Sequence, residues 1–190
     1  MNQLLLKLED HFEEMVIIRR YLHEHPEVSH EEVHTPAYIA DFYRELGIEV
    51  REYIGGRGVV ATLRGTKPGK TVALRADFDA LAIQELNDVP YKSKNDGVMH
   101  ACGHDGHTAT LLVLAKVLVE MREQLSGNIV FIHQHAEEIA PGGAMAMIED
   151  GCLNGVDVIF GTHLWAPTPL GEVLVKDGAI MAAADRFEIV

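Results

Sequence analysis

A regular alternation of short apolar runs with helical segments limits what the middle of this chain can fold into. Between residues 71 and 161, three apolar runs are predicted strands: Thr71–Leu74, Asn128–His133 and Val156–Gly161. Two segments between them are predicted helices: Thr108 to about Glu123, and Gly143–Asp150. Such alternation is typical of a sheet covered by helices on both faces. We therefore expect an α/β fold built on a mixed, twisted sheet.

The rest of the sequence predicts further helices and strands around that unit. Apolar residues recur at helical spacing from Leu4 to Leu22, and Pro26 ends the run. A second helix is expected from Thr35 to Leu46, because it begins with a Thr-Pro pair and a glycine follows it. A turn is predicted at Lys67–Lys70. Four further strands are predicted at Ile48–Tyr53, Val59–Leu63, Gly171–Lys176 and Asp185–Val190.

The charge and the cysteine content exclude several classes of partner. A formal net charge of −13 would be repelled by the phosphates of nucleic acid, and the basic residues form no run that suits a membrane surface. No apolar run approaches the roughly 20 residues of a membrane span, and charged residues interrupt the N-terminal apolar stretch, unlike in a signal peptide. Two cysteines are too few for a disulfide framework, so we expect a cytoplasmic protein with a reduced Cys102.

The segment His100–His107 holds the densest set of candidate metal ligands. Cys102 and His104 flank a single glycine, so a tight turn could aim both side chains at one centre. A metal-bound thiolate can also bridge two cations. For a bare Cys-x-His pattern, a buried cysteine beside a capping histidine is an equally good interpretation. The neighbouring Asp105 and His107, with a glutamate pair downstream, favour metal binding.

That pair, Glu137 and Glu138, follows a predicted buried strand and precedes a Pro-Gly-Gly bend. Adjacent glutamates are most often solvated surface residues. At a bend, however, neighbouring side chains can point in different directions, one to a metal and one to the attacking water. A carboxylate within hydrogen-bond reach of that water meets the geometric condition for a general base.

Other polar side chains lie where predicted strands end, the position at which open α/β sheets bind ligands. Asp77 and Asp79 follow one strand and His163 follows another, so they are expected to converge with the Cys102 loop on one rim. The two aspartates could merely cap a turn, but beside a metal they fit the role of orienting a histidine. The histidines predicted to be solvated or outside the ligand set are His23, His25, His30, His34, His133 and His135.

Five motifs in order make the chain resemble the metal-dependent aminoacylase family: Arg19–Glu27, Leu74–Leu81, Met99–His107, Ala136–Glu138 and Gly161–Trp165. Members of that family include hippurate hydrolases, N-acyl-amino-acid amidohydrolases and auxin-conjugate hydrolases, and they are related to two-metal carboxypeptidases. The resemblance runs across nearly all 190 residues. It implies the catalytic-domain fold of a two-metal exopeptidase.

The resemblance also implies a role for each site residue. Glu137 is similar to the general base, which takes a proton from the metal-bound water and returns it to the leaving amine. Asp79 is similar to the aspartate that supports the site. The implied cofactor is a pair of divalent ions, for which zinc, manganese, cobalt and nickel are candidates. The residues that match the family's metal ligands are Cys102, the bridging one, and His104, Glu138 and His163.

The chain departs from the family in two ways. Many relatives have Gln-Pro where this chain has Gln134-His135. Family members also continue into a lid and dimerisation domain and then return with one last histidine ligand. The resemblance therefore implies that residues 1–184 are the N-terminal part of the metal-binding catalytic domain and that 185–190 start a missing lid. The lid supplies an oxyanion donor, whose loss costs about 10²–10³ in rate, so we expect a weakly active or inactive fragment of a candidate homodimer.

The predicted function is metal-dependent cleavage of the amide bond of N-acyl amino acids, small molecules that give a carboxylic acid and a free amino acid. Two alternatives stay open. The same metal site would support a dipeptidase or carboxypeptidase acting on short peptides, and a truncated chain could be an inactive metal-binding domain. A thiol-redox role for Cys102 and Cys152 is disfavoured, because neither lies in a Cys-x-x-Cys pair.

Overall fold

A computed structural model describes residues 2–181 of the chain. The helices are α1 (Asn2–Asp10), α2 (Phe12–Glu24), α3 (His34–Glu45), α4 (His104–Glu120) and α5 (Ala144–Glu149). The strands are β1 (Glu49–Ile54), β2 (Gly58–Arg64), β3 (Lys67–Asp77), β4 (Ser126–Gln134) and β5 (Val158–Gly161). The predicted α/β alternation from residue 71 to residue 161 is confirmed.

The strands form a mixed sheet in the order β1-β2-β4-β3-β5. β2 is antiparallel to both β1 and β4, whereas β3 is parallel to both β4 and β5. Since β3, β4 and β5 run in the same direction, their carboxyl ends meet at one rim of the sheet. This is the rim at which α/β sheets bind ligands.

Helices cover both faces of the sheet, as the alternating sequence predicts. On one face, α3 packs against β1 and β2, α4 packs against β3 and β4, and α2 packs against α4. Fully buried Ile39, Tyr43 and Leu112 lie in this core. On the other face, Met147 of α5 packs with Val60 of β2 and apolar residues of β3 and β4. The central strands are therefore apolar on both faces, which is why their sequences read as continuous hydrophobic runs.

Four local predictions were wrong. The N-terminal helix breaks at His11 into α1 and α2, and α4 begins at His104 rather than Thr108. The predicted turn at Lys67–Lys70 is the start of β3, because Lys67 pairs with β4 across a register shift. The predicted strand Gly171–Lys176 does not form within the described residues, where no neighbouring strand pairs with it. Val173 and Val175 are accordingly 83% and 88% exposed.

The predicted strand Asp185–Val190 lies outside the described residues, so the domain division at residue 184 stays a prediction. At the described edge of the sheet, β5 leaves Val158, Ile159 and Phe160 exposed. Within residues 2–181, no helix combines the length and apolar character needed to cross a membrane.

Candidate metal centre

Asp79 lies just beyond the carboxyl end of β3 and connects two of the predicted metal ligands. Its Oδ1 lies 3.1 Å from Nδ1 of His104, and its Oδ2 accepts the backbone N–H of Glu138 at 3.0 Å. The hydroxyl of Ser29 donates a third bond to Oδ2 at 2.6 Å. Burial would raise the pKa of Asp79, but these three donors lower it, so the carboxylate stays charged.

His104 is the first residue of α4 and is fully buried. Because Asp79 accepts from Nδ1, the lone pair of the imidazole lies on Nε2. This Nε2 has no hydrogen-bond partner in the described structure and lies 3.6 Å from Oε1 of Glu138, which also has none. Two buried polar atoms of this kind are costly without a partner, and a divalent cation between them would supply one.

Gly103 sets the angle between the two ligands on either side of it. Its φ is +95°, in the left-handed region that glycine adopts without strain. This turn starts α4 at His104 and leaves Cys102 in the preceding loop, where its Sγ lies 3.4 Å from Nε2 of His163. His163 comes from the loop after β5 and is exposed.

The structure brings together all four predicted ligands and the predicted base. Three donor groups, each with its atoms within 4.8 Å of one another, share His104: Cys102/His104/His163, His104/Glu137/Glu138 and Asp77/His104/His107. Thiolate, imidazole and carboxylate are the ligand types that zinc binds. The residues present therefore fit a metal centre, and the individual ligand roles stay predictions.

Negative charge accumulates at this centre. Burial and the carboxylates of Glu138, Glu137 and Asp77 raise the pKa of the Cys102 thiol to about 12. Partial burial raises the pKa of Glu137, and the charges of Asp77 and Glu138 raise it further, although its side chain still reaches solvent. A bound cation would relieve this repulsion and hold the cysteine as a thiolate.

Asp77, predicted to support the site, is engaged by protein groups. Nε2 of His107 bonds its Oδ1, and Arg75 forms an ion pair with its Oδ2 at 2.6 Å. The guanidinium of Arg75 is held in turn by Gln134 at 2.8 and 3.1 Å. Burial would raise the pKa of Asp77, but His107 and Arg75 outweigh it and hold the pKa far below the usual range. Because its oxygens are already paired, Asp77 suits a supporting role better than a ligand role.

The prediction that His23 is solvated was wrong. His23 is 3% exposed, with Nδ1 2.6 Å from Asp105 and Nε2 3.2 Å from Glu85. The bond to Asp105 raises the pKa of the imidazole above its ordinary value against the effect of burial. Its position on α2, directly after buried Leu22, was a signal that it faces inward.

The other histidines predicted to be solvated or outside the ligand set differ in burial. His30 and His34 are exposed, and His25 is half-buried. Nε2 of His133 bonds the hydroxyl of Tyr43 at 2.8 Å, and that of His135 lies 3.1 Å from a backbone carbonyl. Neither belongs to a donor group among the described residues.

Two site contacts come from residues that sequence reasoning missed. Ser29 bonds Asp79, as described above, and fully buried Glu32 accepts the backbone N–H of Ala136 at 2.8 Å. Both belong to the loop between α2 and α3, directly after the Arg19–Glu27 motif. The motif indicated that this part of the chain is functional, but it did not predict that the loop after it would contact Asp79 and Ala136.

Comparison with known proteins gives relatives of the predicted kind. The chain is 62% identical over 183 residues to YhaA of Bacillus subtilis, whose name classes it as an amidohydrolase; the match covers 96% of this chain and 46% of the relative. It is 47% identical over 176 residues to an N-acyl-L-amino acid amidohydrolase of Geobacillus stearothermophilus, covering 93% and 48%. The chain thus spans about half the length of these relatives.

Solved structures agree with these sequence matches. The YXEP protein of Bacillus subtilis, described as a dinuclear metal-binding peptidase, superposes with a TM-score of 0.77 at 46% identity. The match covers 82% of this chain and 43% of that one. The catalytic-domain fold and the resemblance to aminoacylases are therefore confirmed. Residues 73–180, more than half of the chain, match the model of peptidase family M20/M25/M40, and the chain belongs to that family.

Proposed function

We propose that this chain carries the metal centre of a hydrolase that cleaves the amide bond of N-acyl amino acids. The observation that carries the proposal is the convergence of thiol, imidazole and carboxylate donors from three segments beside a further carboxylate, that of Glu137. The names of the related amidohydrolases support the substrate class. The proposed ligands of two divalent ions are Cys102, His104, Glu138 and His163.

When bound, divalent ions would polarise the scissile carbonyl and make water a stronger nucleophile. Glu137 acts as the general base: it takes a proton from the attacking water and returns it to the leaving amine. A carboxyl oxygen of Glu137 lies within 4.8 Å of donor atoms of His104 and Glu138, beside the position that the attacking water would take, which is the reach that a general base needs. No covalent acyl-enzyme is required.

Asp79 fixes the orientation of one proposed ligand and of the loop that carries the base. By accepting from Nδ1 of His104 it leaves Nε2 free to bind metal, and by accepting the N–H of Glu138 it anchors the loop that carries the base. Such hydrogen bonds to ligands set the orientation and basicity of a metal-bound imidazole.

The donor set favours zinc, and manganese, cobalt and nickel are the other candidates. A thiolate ligand requires a reduced cysteine, which supports a cytoplasmic location. We propose small N-acyl amino acids or short peptides as substrates, with a homodimer as the state of the full-length protein.

The first test is metal content. Purified chain loaded with zinc is compared by elemental analysis with Cys102→Ser and with Cys152→Ser, a matched control because Cys152 lies in the core on the other face of the sheet. We expect metal in the wild type and in Cys152→Ser and its loss in Cys102→Ser. Equal metal in all three proteins would contradict the site.

The second test is substrate choice. The loaded chain is assayed on N-acetyl and N-benzoyl amino acids and on dipeptides. Cleavage of the acyl amino acids supports the proposal. Cleavage of dipeptides alone would assign the site to a dipeptidase. Metal binding without cleavage of either class, even in a version extended to the full length of the relatives, would select an inactive metal-binding domain.

A further inference from the structure

The proposed base lies between two backbone amides that are held by buried carboxylates. On one side, the N–H of Ala136 donates to Oε1 of Glu32 at 2.8 Å. On the other side, the N–H of Glu138 donates to Oδ2 of Asp79 at 3.0 Å. The backbone of Glu137 is therefore tethered at both of its neighbours.

Ala136 has a backbone conformation that an alanine does not adopt unaided. Its φ is +48°, in the left-handed region that favours glycine, and its side chain is fully buried. Its carbonyl accepts the N–H of Gly143 at 3.1 Å, which closes the bend. A residue held in this region persists only where surrounding contacts determine it, and such residues occur preferentially at active sites.

Glu32 is buried in a way that folding alone does not explain. Its side chain is fully buried, and its Oε2 has no hydrogen-bond partner in the part of the chain described. The nearest cation, the guanidinium of Arg57, lies 3.9 Å from Oε2 and bonds the backbone carbonyl of Glu32 instead. Burying a carboxylate with so few partners is costly. The one side-chain hydrogen bond that Glu32 makes among the described residues is to Ala136.

The loop that carries Glu32 also contacts the other tether. Ser29 donates to Oδ2 of Asp79 at 2.6 Å, and the carbonyl of Glu27 accepts the N–H of Ala80 at 2.8 Å. Residues 27–32 thus contact both sides of the Glu137 backbone. Glu32 and Ala136, which form one of these contacts, are 104 positions apart in the sequence.

We propose that Glu32 is a positioning residue for the metal centre: by accepting the N–H of Ala136 it holds the left-handed turn that aims Glu137 and Glu138. The inference rests on the proposed function for the roles of those two residues. Glu32 touches neither metal nor substrate and acts through the backbone of Ala136. The loop after the Arg19–Glu27 motif therefore has a role other than metal binding: it positions the backbone that carries Glu137 and Glu138.

Two variants separate the accepted hydrogen bond from the buried charge. Glu32→Gln keeps the side-chain length and an oxygen acceptor, whereas Glu32→Asp keeps the charge but retreats by about 1.5 Å, one carbon–carbon bond. The matched control is Glu31→Asp, the same shortening at the exposed neighbouring residue. Hydrogen–deuterium exchange of the Ala136 amide in the metal-free chain and zinc affinity by competition with a chelator are measured for each.

We expect Glu32→Asp to speed exchange at Ala136 by at least about 10-fold and to weaken zinc binding by about 10–100-fold, the range for residues that orient ligands. Glu32→Gln should stay within about threefold of the wild type in both measurements, and Glu31→Asp should be unchanged. Wild-type behaviour of Glu32→Asp would overturn the proposal. So would impairment of Glu32→Gln, since it would assign the effect to the charge; this outcome stays decisive if Glu32→Asp does not fold.

The exchange measurement also separates this inference from the proposed function. If the wild-type chain binds no zinc, the proposed function fails on that result. The exchange rates of Ala136 in the metal-free variants still decide whether Glu32 holds the turn.

Discussion

Nδ1 of His104 lies 3.1 Å from Oδ1 of Asp79, and this contact fixes which imidazole nitrogen faces the candidate metal centre. Both residues are buried, so solvent does not compete for the bond. The opposite nitrogen, Nε2, is left without a partner among the described residues and 3.6 Å from Glu138. An imidazole oriented by a carboxylate in this way is typical of protein metal sites.

Replacing Asp79 by asparagine is therefore expected to weaken metal binding by about 10–100-fold. The amide keeps the size of the side chain but loses the negative charge that holds His104. It also loses one of the two oxygens that accept hydrogen bonds from His104, the N–H of Glu138 and the hydroxyl of Ser29. Zinc affinity by chelator competition checks the prediction, with exposed Asp88→Asn as the matched control. Equal affinities for Asp79→Asn and the control would contradict it.

Metal binding through Cys102 should release a proton. The pKa of the metal-free thiol is raised to about 12, so at pH 6–9 the group is protonated and must lose its proton to bind as a thiolate. Lower pH therefore weakens binding, and this one group makes the apparent affinity rise about tenfold per pH unit.

Calorimetry in buffers of different ionisation enthalpy counts the protons released. We expect the wild type and Cys152→Ser each to release about one proton per chain from the Cys102 thiol, and Cys102→Ser, which is expected to bind no metal, to release none. An unchanged proton count in Cys102→Ser would show that the thiol does not bind the metal.

Gly103→Ala should weaken metal binding because it strains the turn between two proposed ligands. At φ +95° an alanine is disfavoured by roughly 1 kcal/mol or more, and its Cβ would lie 3.4 Å from Leu164. Gly97→Ala is the matched control: φ is +75°, with no neighbouring atom described within 4 Å. Both variants should lose thermal stability, and only Gly103→Ala should lose zinc affinity. Equal zinc affinities would contradict the role of this turn.

His23→Leu is expected to destabilise the fold by about 1–3 kcal/mol at pH 6, because it removes the partner that buried Asp105 and Glu85 share, although Asp105 keeps its ion pair with Arg19. The folded pKa of His23 is raised above its unfolded value of about 6.5. Its stabilising charge is therefore fully present below pH 6.5 and lost as the pH rises through the folded pKa. Denaturant melts from pH 5 to 9 should show the difference between wild type and variant shrinking over that rise.

The exposed histidine variant His34→Leu provides the control for this series. It should lie within about 0.5 kcal/mol of the wild type at every pH, since surface substitutions rarely cost more. A difference between His23→Leu and wild type that does not change with pH would mean that folding does not shift the pKa of His23, which would contradict the prediction.

The sequence by itself determined the α/β alternation and the positions of the candidate ligands. Both follow from local patterns: apolar runs of strand length identify β3 and β4, and polar residues directly after them must lie at one rim when the strands run parallel. The turn at Gly103 is local as well, since a single glycine between Cys102 and His104 allows a tight turn that places the two donors side by side. No knowledge of distant residues was needed for these predictions.

Only the tertiary structure decided which distant residues support that rim. The contact between Glu32 and Ala136 joins segments 104 residues apart, and the burial of His23 depends on Asp105, 82 residues away. Local periodicity carries no information about such pairs, because a polar residue in a loop looks the same whether water or a distant amide satisfies it. The same reason explains Gly171–Lys176, where strand-like composition meets no partner strand among the described residues. A hydrogen bond forms only where folding brings its partner, and that placement is a property of the whole packed sheet.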